Sequence, residues 1–439
     1  MRALFDQDGL ALERGGWPSA APSPESALRN APSPAADQAA ANDPLTQCTL
    51  ALVTDRAGFD ALEEEWNALF ARAGRPCNVF QSFNWLWHWA NHYLDGRNAL
   101  SVVIGRRGGR LAMAWPLVAT RVAGVRRVSW MGEPVSQYGD ALVEPTPDAP
   151  DLLRQAWALV RSLDADLVYL PRTRSDAAIA PLVDAMDAIS TGSAQAPYLD
   201  LASAGDFATY QQRYPAKTRS SRRRHLRRLN DMGAVSFEQH MGGPAARDLV
   251  SQALALKSGW LASRGRLAPA LQDPRFTRFF ADVALGRTHP TGARISAVRC
   301  NGQPVAVEIS LACKGHLFGH VIAHNGAFQK QGVGVIVAHY AIRTAHEQGC
   351  SIYDLLPPAD GYKLDWADAA IAVDDYAVAL SRAGEIHARL WLRSARPWLK
   401  SLANRMPARL AAVLSAAYRR FAELSCPLRA RRTAGPGPG

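Results

Sequence analysis

The stretch that most constrains the fold runs from residue 316 to 347, where a strand, a glycine turn and a helix follow one another. His316 to Ala323 alternates enough to read as a strand. Gln329-Lys330-Gln331-Gly332-Val333-Gly334 comes next, and from Val335 to Glu347 apolar residues recur at helical spacing. The six residues fit the pattern Gln/Arg-x-x-Gly-x-Gly/Ala. Glycines remove side chains where the backbone must approach a ligand closely. A helix opened this way presents unpaired N–H groups and the positive end of its dipole. An anion suits such a mouth, and a pyrophosphate is the natural fit. No Gly-Lys-Ser/Thr follows, so this is not a Walker A loop, and the spacing is not Gly-x-Gly-x-x-Gly either. A glycine-rich turn that only joins two elements would use the same residues, so the neighbourhood has to decide.

At 439 residues the chain suggests two or three domains. It has no uninterrupted apolar run of about 18 residues, so no transmembrane helix is expected. Asp6, Asp8, Glu13 and Arg14 leave no room for the apolar region of a secretory signal. Cys48, Cys77, Cys300, Cys313, Cys350 and Cys426 are scattered, without Cys-x-x-Cys or a Cys/His cluster. They fit a reducing cytoplasm, and no metal site is expected. The net charge is +11, but twelve Arg and Lys lie from Arg382 onward against Glu385 and Glu423. The basic balance is thus a property of the C-terminal segment and says little about the ligand of the core.

Residues 1–44 are rich in Ala, Pro, Ser and Asp and are expected to be disordered. Residues 45–203 read as a first domain. A strand (Cys48–Val53) and two helices (Asp60–Ala73, Asn84–Tyr93) come first. Strands at Ser101–Ile104, Leu111–Thr120 and Arg127–Met131 follow, then a helix (Leu152–Ser162) and strands at Leu167–Leu170 and Tyr198–Leu201. Residues 204–381 repeat this order behind a basic helix expected from Thr209 to Met232. Strands at Ala293–Arg299, Pro304–Ala312 and His316–Ala323 turn at Asn301-Gly302 and Lys314-Gly315. After the glycine loop and its helix come strands at Ser351–Leu356 and Ile371–Leu380. Residues 382–439 form a basic segment, amphipathic from Ile386 to Leu424, with Leu390, Trp391, Trp398, Leu399 and Leu402 on or near one face. It reads equally as an interfacial helix drawn to anionic lipid or as a helix packed on the body.

The second half resembles the CelD-type GNAT acetyltransferases of exopolysaccharide and cellulose loci. The resemblance rests on the basic run Arg222 to Leu229 with Gly233, Trp260, Gly302 to Ala306, the loop Gln329 to Gly334, Gly349 to Asp354, and Gly361 to Trp366. Phe80 to Trp89 resembles the family's N-terminal helix signature. The tandem arrangement and the Tyr362-Lys363 pair also look like the Fem aminoacyltransferases. The likeness spans about residues 48 to 380. One departure is Gln331-Gly332 where the family usually has Pro-Gly, and it keeps the glycine. The fold implied is α/β (α+β), two GNAT domains in tandem with mixed, mainly antiparallel sheets flanked by helices. The activity implied is transfer of an acyl group from acetyl-CoA or another acyl-CoA to an amine or hydroxyl, with a sugar or polysaccharide precursor as acceptor.

By the same resemblance Gln329, Lys330, Gln331, Gly332, Val333 and Gly334 hold the coenzyme's pyrophosphate. Glu308 stands in an otherwise apolar strand, where a carboxylate is costly unless paired or functional, and is a candidate base. His324 ends the strand before the glycine loop, and an imidazole there suits proton abstraction at neutral pH. His320 lies on the same strand face. Lys363 matches a Fem-like lysine that faces the reactive carbonyl, Tyr362 is a candidate proton donor to the departing thiolate, and Asp354 is an alternative base. Each of these has an ordinary structural role as its rival. The cationic run from Lys217 to Arg228 lacks interleaved aromatics, so a nucleic-acid partner is not expected; a 3′-phosphate, an anionic sugar or solvent would serve it. Two rival functions remain open at this point: an aminoacyltransferase using aminoacyl-tRNA, and a degenerate GNAT acting as a scaffold at the inner membrane.

Overall fold

The structure, a computed structural model, describes residues 48–264, 268–286 and 291–405. The segment 1–44 expected to be disordered, and the amphipathic pattern beyond Arg405, lie outside the described residues. Within them the chain is mixed α/β, with sheets flanked by helices as expected.

Among the described residues fifteen strands occur in chain order. The first half supplies β1 (Cys48–Val53), β2 (Asn98–Leu100), β3 (Val102–Arg107), β4 (Arg110–Trp115), β5 (Leu117–Val122), β6 (Val125–Trp130), β7 (Leu142–Val143), β8 (Leu167–Arg174) and β9 (Ile189–Asp200). The second supplies β10 (Val235–His240), β11 (Thr291–Cys300), β12 (Gln303–Cys313), β13 (His316–His324), β14 (Ile352–Asp354) and β15 (Ala369–Ala379). A small sheet orders β1-β3-β4-β7. An eleven-stranded sheet orders β10-β11-β12-β13-β14-β9-β15-β8-β6-β5-β2.

The centre of the large sheet joins the halves. The closing strand of the first half, β9, pairs with β14 of the second, and the closing strand of the second, β15, pairs with β8 of the first. Between them β9 and β15 pair with each other. Each half therefore completes its sheet with the other's last strand. Aromatic packing reinforces the union: Trp85 of the first half sets its ring edge-on to Phe279, 4.8 Å between centroids, in a core shared by both halves.

Several boundaries differ from the sequence reading, with physical causes. Pro116 divides the expected strand Leu111–Thr120 into β4 and β5, because proline cannot donate to the ladder. Pro215 divides the expected helix Thr209–Met232 into Phe207–Gln212 and Ala216–Asn230, because the residue before proline is pushed away from helical geometry. The Tyr198–Leu201 strand is the end of the twelve-residue β9, whose earlier part (Ser190, Thr191, Gly192, Ser193) carries no strand-like alternation. Its ladder comes from tertiary partners on both sides.

Candidate functional site

The site begins with a separation of strands. β13 and β14 run parallel and pair over only three positions, His316↔Ile352, Leu317↔Tyr353 and Phe318↔Asp354. β13 then continues to His324, while β14 stops at Asp354. The two strands part, and a cavity of about 270 Å³ lies at the splayed end. The glycine loop (Gln329, Gly332, Val333, Gly334), Ile322 and His324 line it from one side. The basic helix Ala216–Asn230 (Thr218, Ser221, Arg222, His225), Lys257 and the segment Tyr362, Asp365, Trp366 complete the wall.

The helix opens at Val333, two residues before the sequence suggests, because Gly332 itself takes the left-handed conformation (φ 66°) and ends the preceding turn. A Cβ on Gly332 would fall inside the His225 ring, so the position demands glycine twice over. Gly334 is different: a Cβ there would meet His324 Nδ1 at 3.8 Å and Ile322 Cγ2 at 4.0 Å, ordinary contacts. Its missing side chain keeps the cavity open. The amides of Val335 and Ile336 turn back to the Gly332 carbonyl at 2.9 and 3.2 Å. Those of Val333 and Gly334 have no backbone acceptor among the described residues, as the first turn of a helix requires. They lie at the cavity wall, at the positive end of the dipole.

Arg222 supplies full charge beside that partial charge. It is 9% exposed, with its guanidinium 3.4 Å over the Trp366 ring and 4.0 Å over that of Tyr214. Its hydrogen bond, to Gln211 Oε1, is long at 3.4 Å. No carboxylate pairs with it among the described residues, and burial lowers its pKa. Asp365 on the same wall attracts it without forming an ion pair, and a buried guanidinium so placed favours an anion in the cavity. Lys257 is the second buried cation on the wall. Its ammonium donates to the Ile322 carbonyl at 3.0 Å, and burial pushes its pKa down to about 8. Its only mark in the sequence is a lysine inside an apolar stripe, with Ala253 and Leu254 before it and Trp260 and Leu261 after it at helical spacing.

The expected site residues divide. Gln329, Gly332, Val333, Gly334, His324 and Tyr362 come together on the cavity. Lys330 is exposed, and Gln331 meets His225 through its backbone; neither lines the wall. His324 packs edge-on against Trp260 (5.5 Å). Burial, then repulsion from Lys257 and Arg264, drives its pKa to about 4, so its ring is neutral at pH 7. Tyr362 keeps its proton, since burial raises its pKa far above the usual phenol value. Lys363 stands behind the wall, donating to the carbonyls of Leu356 (2.8 Å) and Pro358 (3.0 Å), with burial lowering its pKa to about 8.

Glu308 is fully buried and does not line the cavity. One oxygen accepts from Ser310 Oγ at 2.6 Å and from the Tyr353 hydroxyl; the other has no hydrogen-bond partner among the described residues. Burial raises its pKa to about 8, so it holds its proton at neutral pH. His320 donates from Nε2 to the Val135 carbonyl of the first half at 2.9 Å, with the Gln137 side chain 3.4 Å from the same nitrogen. Asp354 binds the first half as well, taking the Tyr138 hydroxyl at 2.9 Å and Arg174 at 3.3 Å. Among the described residues no group of His, Cys, Asp and Glu is arranged to hold a metal.

Comparison with known proteins adds the following. Residues 216–364 match the family model described as "Acetyltransferase (GNAT) domain". The solved structure of FemX is similar in fold at 10% identity and a TM-score of 0.52, covering 75% of this chain and 98% of that one. A tandem GNAT protein from the clavulanic acid biosynthesis pathway aligns at 17% identity and 0.44, over 76% and 99% of the two chains. The C-terminal domain of a putative lysylphosphatidylglycerol synthetase from Agrobacterium fabrum aligns at 13% and 0.46, over 76% and 95%. No curated protein matches the sequence. The matched region contains the glycine loop, the basic helix, Lys257 and the Tyr362-Lys363 pair.

Proposed function

Starting from a chain that carries a GNAT acetyltransferase domain and is thereby an acyltransferase, we propose that the cavity binds acetyl-CoA or a related acyl-CoA. The acyl group then passes to an amine or hydroxyl of a sugar or polysaccharide precursor. The observation that carries the coenzyme reading is the pairing of an open helix mouth at Val333 and Gly334 with the buried guanidinium of Arg222, which has no ion-pair partner among the described residues, on one wall. Bare amides and a guanidinium together suit paired phosphates better than either suits a carboxylate. The acceptor class rests on the sequence resemblance alone.

The co-substrate supplies an activated acyl group as a thioester. The chain's own residues hold it and manage protons. The loop amides and Arg222 bind the anionic end. Tyr362, on the cavity wall, is the candidate proton donor to the departing thiolate, and burial makes it a weaker acid than a free phenol. For the base, Lys257 is better poised than Glu308: it lies on the cavity wall and titrates near 8, whereas Glu308 is sealed behind Ser310 and Tyr353. His324 is neutral but weak, and burial lowers the pKa of His225 on the same wall as well. Matching of pKa to working pH favours the lysine.

Isothermal titration with acetyl-CoA tests the reading. Binding at one site per chain, competed by free coenzyme A, is the expected result. No heat with any acyl-CoA would sink it. The aminoacyl-tRNA alternative draws on one observation: Lys217, Arg223, Arg224, Arg227 and Arg228 stand exposed on the basic helix. Salt-sensitive tRNA binding, lost on neutralising Arg223 to Arg228, would favour it over the first reading.

A further inference from the structure

After β15 the chain turns into a helical arm that is apolar on both sides. Arg382–Ile386, His387–Ala395 and Arg396–Arg405 follow without a break, the middle part wound as a π-helix. One side is accounted for: Ala388 and Leu392 are buried against Leu167, Tyr169 and Ala377 of the large sheet. Arg396 ties the arm down further by donating to the Tyr169 hydroxyl at 2.7 Å. The other side is not. Leu390 is 65% exposed, Trp398 63% and Leu402 49%, with Ile386, Trp391 and Leu399 beside them. These six make up more than half of the large apolar side chains exposed among the described residues. Apolar groups gathered in this way, rather than scattered singly, mark a surface that meets something.

We infer that this arm docks the protein on an anionic phospholipid surface. Three features favour a bilayer over a protein partner. The exposed apolar set combines two tryptophans with branched aliphatics, the mixture that settles at the headgroup boundary. The arm is rimmed by exposed cations: Arg382 and Arg393 have no carboxylate partner among the described residues, and only Arg389 is paired, with Glu385 at 3.1 Å. The sequence then continues for 34 residues past Arg405 with six arginines and a single glutamate, which adds attraction to negative headgroups. Among the described residues no helix is long and apolar enough to cross a membrane, so the contact is peripheral. The anchored side and the free side lie on one continuous arm, so docking needs no unfolding of the body.

The test is flotation of the full chain with vesicles of phosphatidylcholine, with and without phosphatidylglycerol. Flotation with the phosphatidylglycerol vesicles, weakened by added salt, is expected. Trp398→Ser combined with Leu402→Gln should lower the partition coefficient about tenfold or more, by the apolar surface each residue would otherwise bury. The same variant should bind acetyl-CoA as the parent does, which shows that the fold is kept and separates this inference from the coenzyme reading. Three outcomes overturn it. One is no flotation with the anionic vesicles. A second is flotation unchanged in the variant, which would move the contact elsewhere, for instance to the basic helix. The third is a concentration-dependent dimer that the variant abolishes, which would make a second copy the occupant.

Discussion

The two halves of this molecule share one plan and put it to different ends. In each, a strand pairs in parallel over three positions with the strand beyond a crossover helix: β6 with β8 at Arg127↔Leu167 to Ser129↔Tyr169, and β13 with β14. In the second half the strands then part and leave a cavity. In the first the corresponding gap is closed, since Gly139 bridges to Thr173 and Trp130 lies so close that no Cβ would fit at Gly139. The helix mouths differ in the same sense. Val333–Glu347 opens behind a left-handed glycine with no acidic residue in its first turn. Ala149–Arg161 opens behind Asp148, with Pro150 and Asp151 in the first turn. A carboxylate there satisfies the dipole and repels any phosphate. Trp115, Leu117 and Trp130 pack together in the core of the first half. A fold repeat thus need not repeat a site. In one copy the gap between the parallel strands is bridged, and the exchanged strands β9 and β15 join that copy to the one whose strands part.

The largest expected effect breaks this comparison outright if it fails. Gly332→Asp forces a side chain into the His225 ring from a left-handed backbone and sets a carboxylate at the mouth. Acetyl-CoA affinity should fall about a hundredfold or more by calorimetry, from lost room and reversed charge. Asp151→Asn, at the matching mouth of the first half, should change that affinity by less than about twofold, because that mouth faces no listener for the charge. A clear gain in affinity, or a second acetyl-CoA bound per chain, in Asp151→Asn would mean that the first half also binds the coenzyme.

How much of this was legible beforehand depends on range in the sequence. The hairpins at Asn301-Gly302 and Lys314-Gly315 and the glycine-loop helix are written in neighbouring residues, and the structure has them within a few positions. The strand exchange is not, because nothing in Ser190 to Ala196 says that its ladder partner is β15, some hundred and eighty residues further along the chain. Among the site residues, Gly332 and Gly334 were visible as a local pattern. Arg222 looked like one arginine among seven cations. Only the placement of Trp366 and Tyr214 against its guanidinium singles it out. Lys257 was hidden by its own helix, where it reads as an interruption of an apolar face. Glu308 stood out as a carboxylate in an apolar strand, yet the strand pattern could not tell whether it faces the cavity or the space behind it.

Arg222 gives the next effect in size. Arg222→Met keeps the stem packed on Trp366 and removes the charge. Acetyl-CoA should bind about ten- to a hundredfold more weakly, the range for a hydrogen bond to a charged group. Arg222→Lys should restore little of this, because an ammonium neither stacks on the indole as a planar fork does nor binds phosphate in two places at once.

A pH titration of stability reads out the buried carboxyl of the second half. Glu308 has its pKa raised by burial from the ordinary carboxylate value to about 8. Between the two values the folded chain holds this proton and the unfolded chain does not. Stability from this group is therefore fully present below the ordinary carboxylate pKa and declines as pH rises through about 8. Glu308→Gln should flatten that decline, by something on the order of 1–2 kcal/mol once relaxation is allowed. Urea midpoints measured on either side of the window would show it, and an unchanged slope would refute it.

The smallest effect is the most discriminating, since it separates room for folding from room for a ligand. A methyl at Gly334 meets only His324 and Ile322, at van der Waals distance. Alanine also loses less chain entropy than glycine in a helix, so Gly334→Ala should leave the fold equally stable or stabilise it by roughly 0.5–1 kcal/mol. The same methyl projects into the cavity, over an amide that the proposed phosphates would touch. Acetyl-CoA affinity should then drop, by about two- to tenfold, in a protein whose melting temperature has not fallen. A stability loss with unchanged affinity would mean that the glycine serves packing alone. The helix mouth of the second half would then be no more a binding site than that of the first.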